Sequence, residues 1–183
     1  MGRRLARALD GELDVVLVRK LRAPFDPEFA IGSIDESGHA YVADYAESAG
    51  GTPAYLEQEK AAQRATLRER RARYTPLRPP VDPAGRVAIV VDDGLATGAT
   101  MISALQALRA RKPARLICAV PVAPPDTLER IRACAAEVVC LYAPPDFRAV
   151  GQFYDAFPQV EDDEVVAVLG QAGRPASQGR AQS

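Results

Sequence analysis

The most constraining feature of the sequence is the stretch Arg86–Met101, RVAIVVDDGLATGATM. It begins with an unbroken apolar run rich in β-branched residues, Val87–Val91, which is typical of a strand buried on both faces in a parallel sheet. Asp92 and Asp93 follow at the carboxyl end of this strand, and a turn of small residues and hydroxyls leads into a helical pattern of apolar residues. In open α/β sheets ligands bind in the crevice beyond such strand ends, so this stretch is the predicted site.

The chemistry of the turn suits a phosphate. Its glycines let backbone N–H groups approach a ligand closely, and the start of the following helix adds unpaired donors and a partial positive charge. The hydroxyls of Thr97 and Thr100 add two more donors. Carboxylates repel phosphate but accept hydrogen bonds from sugar hydroxyls, which is the role expected of Asp92 and Asp93. A ribose 5-phosphate carries both groups and is the predicted ligand.

Two other phosphate-binding motifs are excluded by the residues present. A P-loop requires a lysine after its glycines, and no lysine occurs from Arg86 to Leu108. A phosphatase of the DxDxT type would need an acid at the position of Gly94. The remaining alternative is an ordinary connection between a strand and a helix, whose Thr and Asp side chains only cap the helix.

The segment VVDDGLATGAT resembles the PRPP-binding signature of the type I phosphoribosyltransferases. The resemblance implies that Asp92 and Asp93 hold the ribose 2′ and 3′ hydroxyls. It also implies that the turn wraps the 5′-phosphate, through the residues Leu95, Ala96, Thr97, Gly98, Ala99 and Thr100. The implied activity is transfer of the 5-phosphoribosyl group from PRPP to a nitrogenous base, with release of pyrophosphate. The alternative is a regulatory protein that binds PRPP or a nucleotide without turnover.

The N-terminal segment is expected to bring basic residues to this site. Met1–Leu9 has helical periodicity, and Leu13–Val18 is an apolar run that predicts a second buried strand, ending in Arg19 and Lys20. The resemblance implies that Lys20, with Arg19, contacts pyrophosphate; the alternative is a basic strand end that faces solvent. The family carries a strand and a pyrophosphate loop, Pro-Arg-Gly-Gly in the most similar members, ahead of this helix. We expect this chain to lack both.

The stretch Pro144–Phe157, PPDFRAVGQFYDAF, is the second informative one. It is rich in aromatic residues and follows a predicted strand end, where a planar ligand could stack on Phe or Tyr. It resembles the base-binding segment of hypoxanthine-type phosphoribosyltransferases, which implies contacts to a purine-type base from Asp146, Val150, Gly151 and Asp155. The alternative is that the aromatic residues only anchor a loop to the core.

The resemblance also implies Mg²⁺ as a cofactor. The substrate's phosphates and diol, with water, are expected to hold this ion, so no protein metal ligand is predicted. Mg²⁺ and Lys20 would neutralise the charge of the leaving pyrophosphate. The predicted partners are PRPP and a small nitrogenous base, and a homodimer is left open.

Strand and helix patterns alternate along the chain, which predicts the α/β class. With the resemblance, the expected architecture is three layers, α/β/α, around a mostly parallel central sheet. We expect an N-terminally incomplete phosphoribosyltransferase-like domain over residues 1–169 and a disordered tail over residues 170–183. The other expected elements are a hairpin of Phe29–Ile34 with Ala40–Ala43, a helix capped by Thr52 and running to Tyr74, and buried strands at Leu116–Val120 and Val138–Tyr142.

Composition sets few further limits. The 183 residues suffice for one domain with its own core, and a net charge of −1 gives no general attraction to nucleic acid or anionic membranes. The basic run RERRAR could bind RNA, but a solvated helix face with a Glu69–Arg73 pair is favoured, so nucleic acid is not an expected partner. Three cysteines without CxxC spacing predict reduced thiols and a cytoplasmic location. No apolar run approaches the ~20 residues of a membrane span.

Overall fold

A computed structural model describes residues 1–27, 29–74, 80–158 and 160–172. Its helices and strands, in chain order, are α1 (Gly2–Ala8), β1 (Val18–Arg22), β2 (Ala30–Asp35), β3 (Ala40–Val42), α2 (Pro53–Tyr74), β4 (Val87–Val91), α3 (Ala99–Ala110), β5 (Arg115–Val122), α4 (Pro125–Arg132), β6 (Glu137–Tyr142), a 3₁₀ turn (Val150–Phe153) and α5 (Asp162–Ala172).

Strands β4, β5 and β6 form the parallel sheet, in that order. Val90 of β4 lies opposite Cys118 of β5, which in turn lies opposite Val138 of β6. Helices α3 and α4 pack on this sheet around Leu105 and Ile131, whose side chains are fully buried. The α/β class with a parallel sheet is therefore confirmed. Because the strands are parallel, their carboxyl ends meet at one edge of the sheet.

The first three strands form a second sheet, which is antiparallel with the order β1-β2-β3. Strands β2 and β3 are the predicted hairpin, which is confirmed. Helix α2 packs on this sheet through Leu67, which meets Leu21 of β1 and Ile31 of β2 in a buried cluster. Helix α3 contacts strands of both sheets. The helix that begins at the predicted phosphate-binding turn is therefore held by both sheets.

The prediction of a buried strand over Leu13–Val18 is wrong. Residues 11–17 have irregular backbone, and β1 begins only at Val18. The carboxylate of Asp14 accepts hydrogen bonds from the guanidinium of Arg71 at 2.7 Å and from the amide of Val15 at 2.8 Å. Arg71 also donates to the carbonyl of Val15. Side chains thus satisfy backbone groups that a sheet ladder would otherwise use.

Strands β4 and β6 are less buried than their apolar runs predict. In β4 only Val90 is buried and Val87 is 59% exposed, whereas in β6 Leu141 is 81% exposed. Helices α3 and α4 pack on the face of the sheet that carries Val90 and Cys118. An apolar run does not show which of its two faces will be covered, so the expected burial on both faces is wrong for these two strands.

Helix α2 begins where the sequence predicts. The hydroxyl of Thr52 accepts a hydrogen bond from the amide of Tyr55 at 3.3 Å, and Pro53 occupies the first helical position. The basic end of the helix forms ion pairs within the protein, from Arg71 to Asp14 and Glu36 and from Arg73 to Asp162 and Asp163. These pairs support a structural role for the basic run.

The C-terminal helix α5 continues to Ala172, three residues past the predicted end of the domain. The rest of the predicted tail, residues 173–183, lies outside the described residues. Cys118, Cys134 and Cys140 are free thiols, as predicted. No helix in the described part of the chain combines the length and apolarity needed to cross a membrane.

Candidate functional site

Asp92 and Asp93 lie directly beyond the carboxyl end of β4. Asp92 is half-buried, and its carboxylate accepts a hydrogen bond from the amide of Asp93 at 3.0 Å. Asp93 is exposed. Neither carboxylate is paired with a basic side chain of the described residues. Both therefore remain acceptors for the hydroxyl groups of a ligand.

Burial raises the pKa of Asp92, because the half-buried carboxylate loses solvation. The hydrogen bond from the Asp93 amide lowers this pKa, and the negative charge of the Asp93 carboxylate raises it again, so the net direction is upward. A ligand hydroxyl that donates to Asp92 would replace solvent that the fold has removed, which favours binding of a diol at this position.

The turn after the acid pair is anchored at Leu95. Its side chain is 3% exposed within the core, and its amide donates to the carbonyl of Val122 at 3.0 Å. The preceding Gly94 has no room for a side chain, because a Cβ there would lie 2.7 Å from Val150 Cγ1 and 2.9 Å from Val122 Cγ1. Leu95, predicted to bind substrate, is thus placed with its side chain and its amide both engaged by the protein.

The following residues present unpaired amides. Gly98 adopts a left-handed conformation with φ of 71° at the start of α3, which favours glycine there. The amide of Ala99 donates to the Thr97 hydroxyl at 3.5 Å. In the described part of the chain, the amides of Ala96, Thr97, Gly98 and Thr100 donate to no other group of the protein. Free amides at a helix N-terminus are groups that can bind an anion, so the phosphate-binding role of this turn stays a prediction.

Helix α4 donates hydrogen bonds to two backbone carbonyls of the turn. The carbonyl oxygens of Ala96 and Thr97 accept hydrogen bonds from Thr127 and Arg130, respectively. Neither of these two α4 residues was predicted as a site residue from the sequence. No local pattern marks them, since the bonds join positions 31 and 33 residues apart.

The segment 144–157 lies against the acid pair. The hydroxyl of Tyr154 donates to the backbone carbonyl of Asp93, and Val150 abuts Gly94. The site prediction omitted Tyr154, although it precedes the predicted base-binding residue Asp155. Asp155 and Asp146 are both exposed. The structure therefore brings Val150 to the acid pair and leaves the carboxylate of Asp155 in solvent.

The aromatic rings of this segment mainly contact one another. Phe147 and Phe153 stack with their centroids 5.5 Å apart, and Tyr142 meets Phe153 edge-on at 5.7 Å. Tyr154 and Phe157 are 5.1 Å apart, and Phe157 also covers Gly151. These contacts favour the interpretation that most of the rings fix the shape of the loop.

Arg19 and Lys20 form no hydrogen bond or ion pair with the acid pair in the described part of the chain. The Nε of Arg19 donates to Gln63 of α2 at 2.8 Å. Burial, together with the charges of Arg70 and Arg22, lowers the pKa of Arg19. Lys20 is exposed, and because successive strand side chains point to opposite faces, it lies on the face of β1 away from α2. Their expected position at the carboxyl end of a strand is wrong, since both lie within β1.

The acid pair has the chemistry that Mg²⁺ requires. Carboxylate oxygens are hard ligands, and Mg²⁺ is commonly held by one or two carboxylates together with substrate phosphates and water. Within the described residues, no group of three or more His, Cys, Asp or Glu side chains could hold a metal ion by itself. Asp92 and Asp93 therefore fit an ion that is shared with a bound substrate.

Comparison with known families gives one match over most of the chain. The sequence model of the family described as "Phosphoribosyl transferase domain" matches residues 1–158.

Comparison with individual proteins points the same way. Two curated Mycobacterium tuberculosis proteins, from strains CDC 1551 / Oshkosh and ATCC 25618 / H37Rv, bear names that assign them provisionally as phosphoribosyl transferases. Each is 42% identical to this chain over 173 residues, which cover 93% of this chain and 39% of the relative. The chain thus spans well under half the length of these relatives. The crystal structure of TT1426 from Thermus thermophilus is 47% identical with a TM-score of 0.81, covering 92% of this chain and 80% of that chain.

Proposed function

Because this chain belongs to the phosphoribosyl transferase domain family, we propose that it transfers the 5-phosphoribosyl group of PRPP to a nitrogenous base and releases pyrophosphate. The proposal rests on one observation: hydrogen-bond acceptors for a sugar and hydrogen-bond donors for a phosphate lie together at the end of one strand. Among the residues that the structure describes, two carboxylates without basic partners lie beside a turn in which the amides of Ala96, Thr97, Gly98 and Thr100 are free. A ribose with a 5′-phosphate needs both.

In the proposed complex Asp92 and Asp93 accept hydrogen bonds from the ribose 2′ and 3′ hydroxyls. The 5′-phosphate lies on the free amides of Thr97, Gly98 and Thr100, with the Thr97 and Thr100 hydroxyls at its edge. These contacts fix the sugar at both ends. The reacting C1 is then held toward the base and the leaving group, and such positioning lowers the barrier to transfer.

The leaving pyrophosphate carries several negative charges that must be neutralised. Mg²⁺, when bound with substrate beside the acid pair, supplies Lewis-acid charge neutralisation. Lys20 is the protein cation proposed to approach pyrophosphate, because its exposed ammonium lies on the face of β1 away from α2. Arg19 is the weaker candidate, because its guanidinium is bonded to Gln63.

The base is proposed to lie beside Val150, which packs on Gly94 next to the acid pair, with Asp155 at its outer edge. A purine-type base is proposed because this segment resembles the base-binding segment of the hypoxanthine-type enzymes. The cytoplasmic location and the homodimer stay predictions, as does the activity of any longer protein to which this chain corresponds.

Pyrophosphate release tests the proposal. The protein is mixed with PRPP, Mg²⁺ and each member of a panel of purine and pyrimidine bases, and pyrophosphate is measured. We expect release that depends on one base, and a loss of about 100-fold in Asp93→Asn, because a charged acceptor of the sugar is removed. Asp44→Asn, the same change at an exposed acid after β3, should keep full activity. Release that is unchanged in Asp93→Asn would contradict the assignment.

One observation favours a second candidate, a protein that binds PRPP without turning it over. The guanidinium of Arg19 donates to Gln63 of α2, so one of the two expected pyrophosphate contacts is already engaged within the protein. The same experiment separates the two functions when a thermal unfolding scan is added. If PRPP raises the unfolding temperature but no base gives pyrophosphate release, the protein binds PRPP without turnover. The proposed transferase activity would then be excluded.

A further inference from the structure

Two side chains of α4 donate hydrogen bonds to backbone carbonyls of the proposed phosphate-binding turn. Thr127 is 3% exposed, and its hydroxyl donates to the carbonyl of Ala96 at 2.7 Å. Three residues further along the helix, Nη1 of Arg130 donates to the carbonyl of Thr97 at 3.1 Å. Two consecutive carbonyls of the turn are therefore directed toward α4.

The direction of these carbonyls determines the direction of the next amides. All described peptide bonds are trans, and in a trans peptide the N–H points opposite to the carbonyl of the preceding residue. The carbonyl of Ala96 on Thr127 thus turns the N–H of Thr97 away from α4. The carbonyl of Thr97 on Arg130 does the same for the N–H of Gly98.

Thr127 contacts the turn through both branches of its side chain. Besides the hydroxyl bond to Ala96, its methyl group closes the space beside Gly98, where a Cβ would lie 2.9 Å from Thr127 Cγ2. Gly98 is the residue whose left-handed conformation starts α3. The methyl and the hydroxyl of Thr127 therefore both contact the turn on the side that faces α4.

We propose that Thr127, supported by Arg130, is a positioning residue that aims the amides of Thr97 and Gly98 at the 5′-phosphate. The inference rests on the proposed function, because it takes a ribose 5-phosphate as the ligand of the turn. Removal of the Thr127 hydroxyl leaves the Ala96 carbonyl without its donor. The 96–97 peptide plane is then free to rotate, and rotation takes the Thr97 N–H away from the anion.

The test compares Thr127→Val with Thr127→Ser. Valine keeps the methyl contact and the volume but removes the hydroxyl, whereas serine keeps the hydroxyl and removes the methyl. Each ¹⁵N-labelled protein is titrated with ribose 5-phosphate, while the dissociation constant and the amide ¹H shifts of Thr97 and Gly98 are recorded. Thermal unfolding without ligand is measured for each protein.

We expect downfield shifts of both amides in the wild type and in Thr127→Ser. Thr127→Val should bind about 10-fold more weakly, with a reduced Thr97 shift, as expected for loss of one aligned donor. Arg130→Met should weaken binding about 3-fold and reduce the Gly98 shift, because its bond is longer and more exposed. As Arg130 is exposed, this second variant keeps the test decisive if Thr127→Val does not fold.

Three results would overturn the proposal, each in a different way. Wild-type affinity and wild-type shifts in Thr127→Val, or in Arg130→Met if the valine variant is unfolded, would show that α4 does not aim the amides. If neither amide shifts in the wild type, ribose 5-phosphate does not bind at the turn. That result would also contradict the proposed function. Equal losses in the serine and valine variants would also overturn it, since they would reflect packing rather than the hydroxyl.

Discussion

The hydroxyl of Tyr154 donates a hydrogen bond to the backbone carbonyl of Asp93, and so joins two residues that are 61 positions apart. Burial raises the pKa of Tyr154, and the carboxylates of Asp93 and Asp92 raise it further, so the hydroxyl stays protonated and remains a donor. Val150, from the same segment, packs on Gly94. The two motifs singled out from the sequence therefore form one unit, in which the segment proposed for the base is tied to the acids proposed for the sugar.

Tyr154→Phe should weaken the coupling between these two segments. The ring and its contact with Phe157 remain, but the bond to Asp93 is lost, so we expect the KM for the base to rise about 5- to 10-fold with little change in PRPP affinity. Steady-state kinetics with each substrate varied in turn provides the measurement. Tyr142→Phe is the matched control, because the ring contact of Tyr142 with Phe153 does not need its hydroxyl. An equal effect in both variants would argue against a specific role for Tyr154.

Asp92→Asn should stabilise the fold at neutral pH. The folded protein raises the pKa of Asp92, so the folded state binds this proton more tightly than the unfolded state does. The resulting stabilisation is complete below the unfolded pKa and is lost as pH rises through the folded pKa. Above that range the ionised carboxylate costs stability, and asparagine, which keeps an acceptor for the Asp93 amide, removes this cost.

Thermal unfolding of wild type and Asp92→Asn from pH 4 to pH 8 measures this effect. We expect the variant to unfold about 1–3 °C higher at pH 7, with the difference shrinking toward acid pH. A variant that is less stable than the wild type at pH 7 would show that the ionised Asp92 carboxylate makes a favourable interaction that outweighs the cost of its burial.

Gly94→Ala should disrupt the turn. The added methyl group would lie within 3 Å of the side chains of Val150 and Val122, and displacement of these packed side chains costs about 1–3 kcal/mol. The free energy of unfolding from urea titration gives the measurement. Gly170→Ala is the control, because nothing lies within 4 Å of its added methyl group and alanine favours helix α5, so we expect its stability to be unchanged or slightly higher. Equal stability of the two variants would mean that Val150 does not press on the acid-pair turn.

Cys118 should be unreactive in the folded protein. Burial raises its pKa to about 11, with smaller contributions from Cys140 and Asp92, and its side chain is fully buried. At pH 7.5 almost none of it is thiolate, the form that reacts. Iodoacetamide labelling followed by mass spectrometry should find modification at Cys118 only after unfolding. Labelling of native Cys118 as fast as that of the partly exposed Cys134 would contradict the packing of β5.

Local patterns were sufficient to locate the acid pair and its turn. The run Val87–Val91 forms β4, and a strand, two acids, glycines and a helix are contiguous in sequence, so their geometry follows from local rules. The start of α2 was predictable for the same reason, because Thr52 and Pro53 act within one helical turn.

The errors and omissions involve groups distant in sequence. The run Leu13–Val18 resembles a strand, but Asp14 is bonded to Arg71, which is 57 positions away. The contacts of Thr127, Arg130 and Tyr154 with the site likewise depend on the assembled sheet. An apolar run indicates that a segment can form a β-strand, but the groups that it contacts are determined by the tertiary fold.

Calorimetric titration with PRPP and Mg²⁺ measures whether Asp92 and Asp93 bind the ribose while the free amides bind its 5′-phosphate. We predict one binding site per wild-type chain, and a loss of affinity of about 100-fold or more in the double variant Asp92→Asn, Asp93→Asn. Wild-type affinity in that double variant, or no binding of PRPP by a folded wild-type protein, would show that the acid pair and the turn are not the PRPP site.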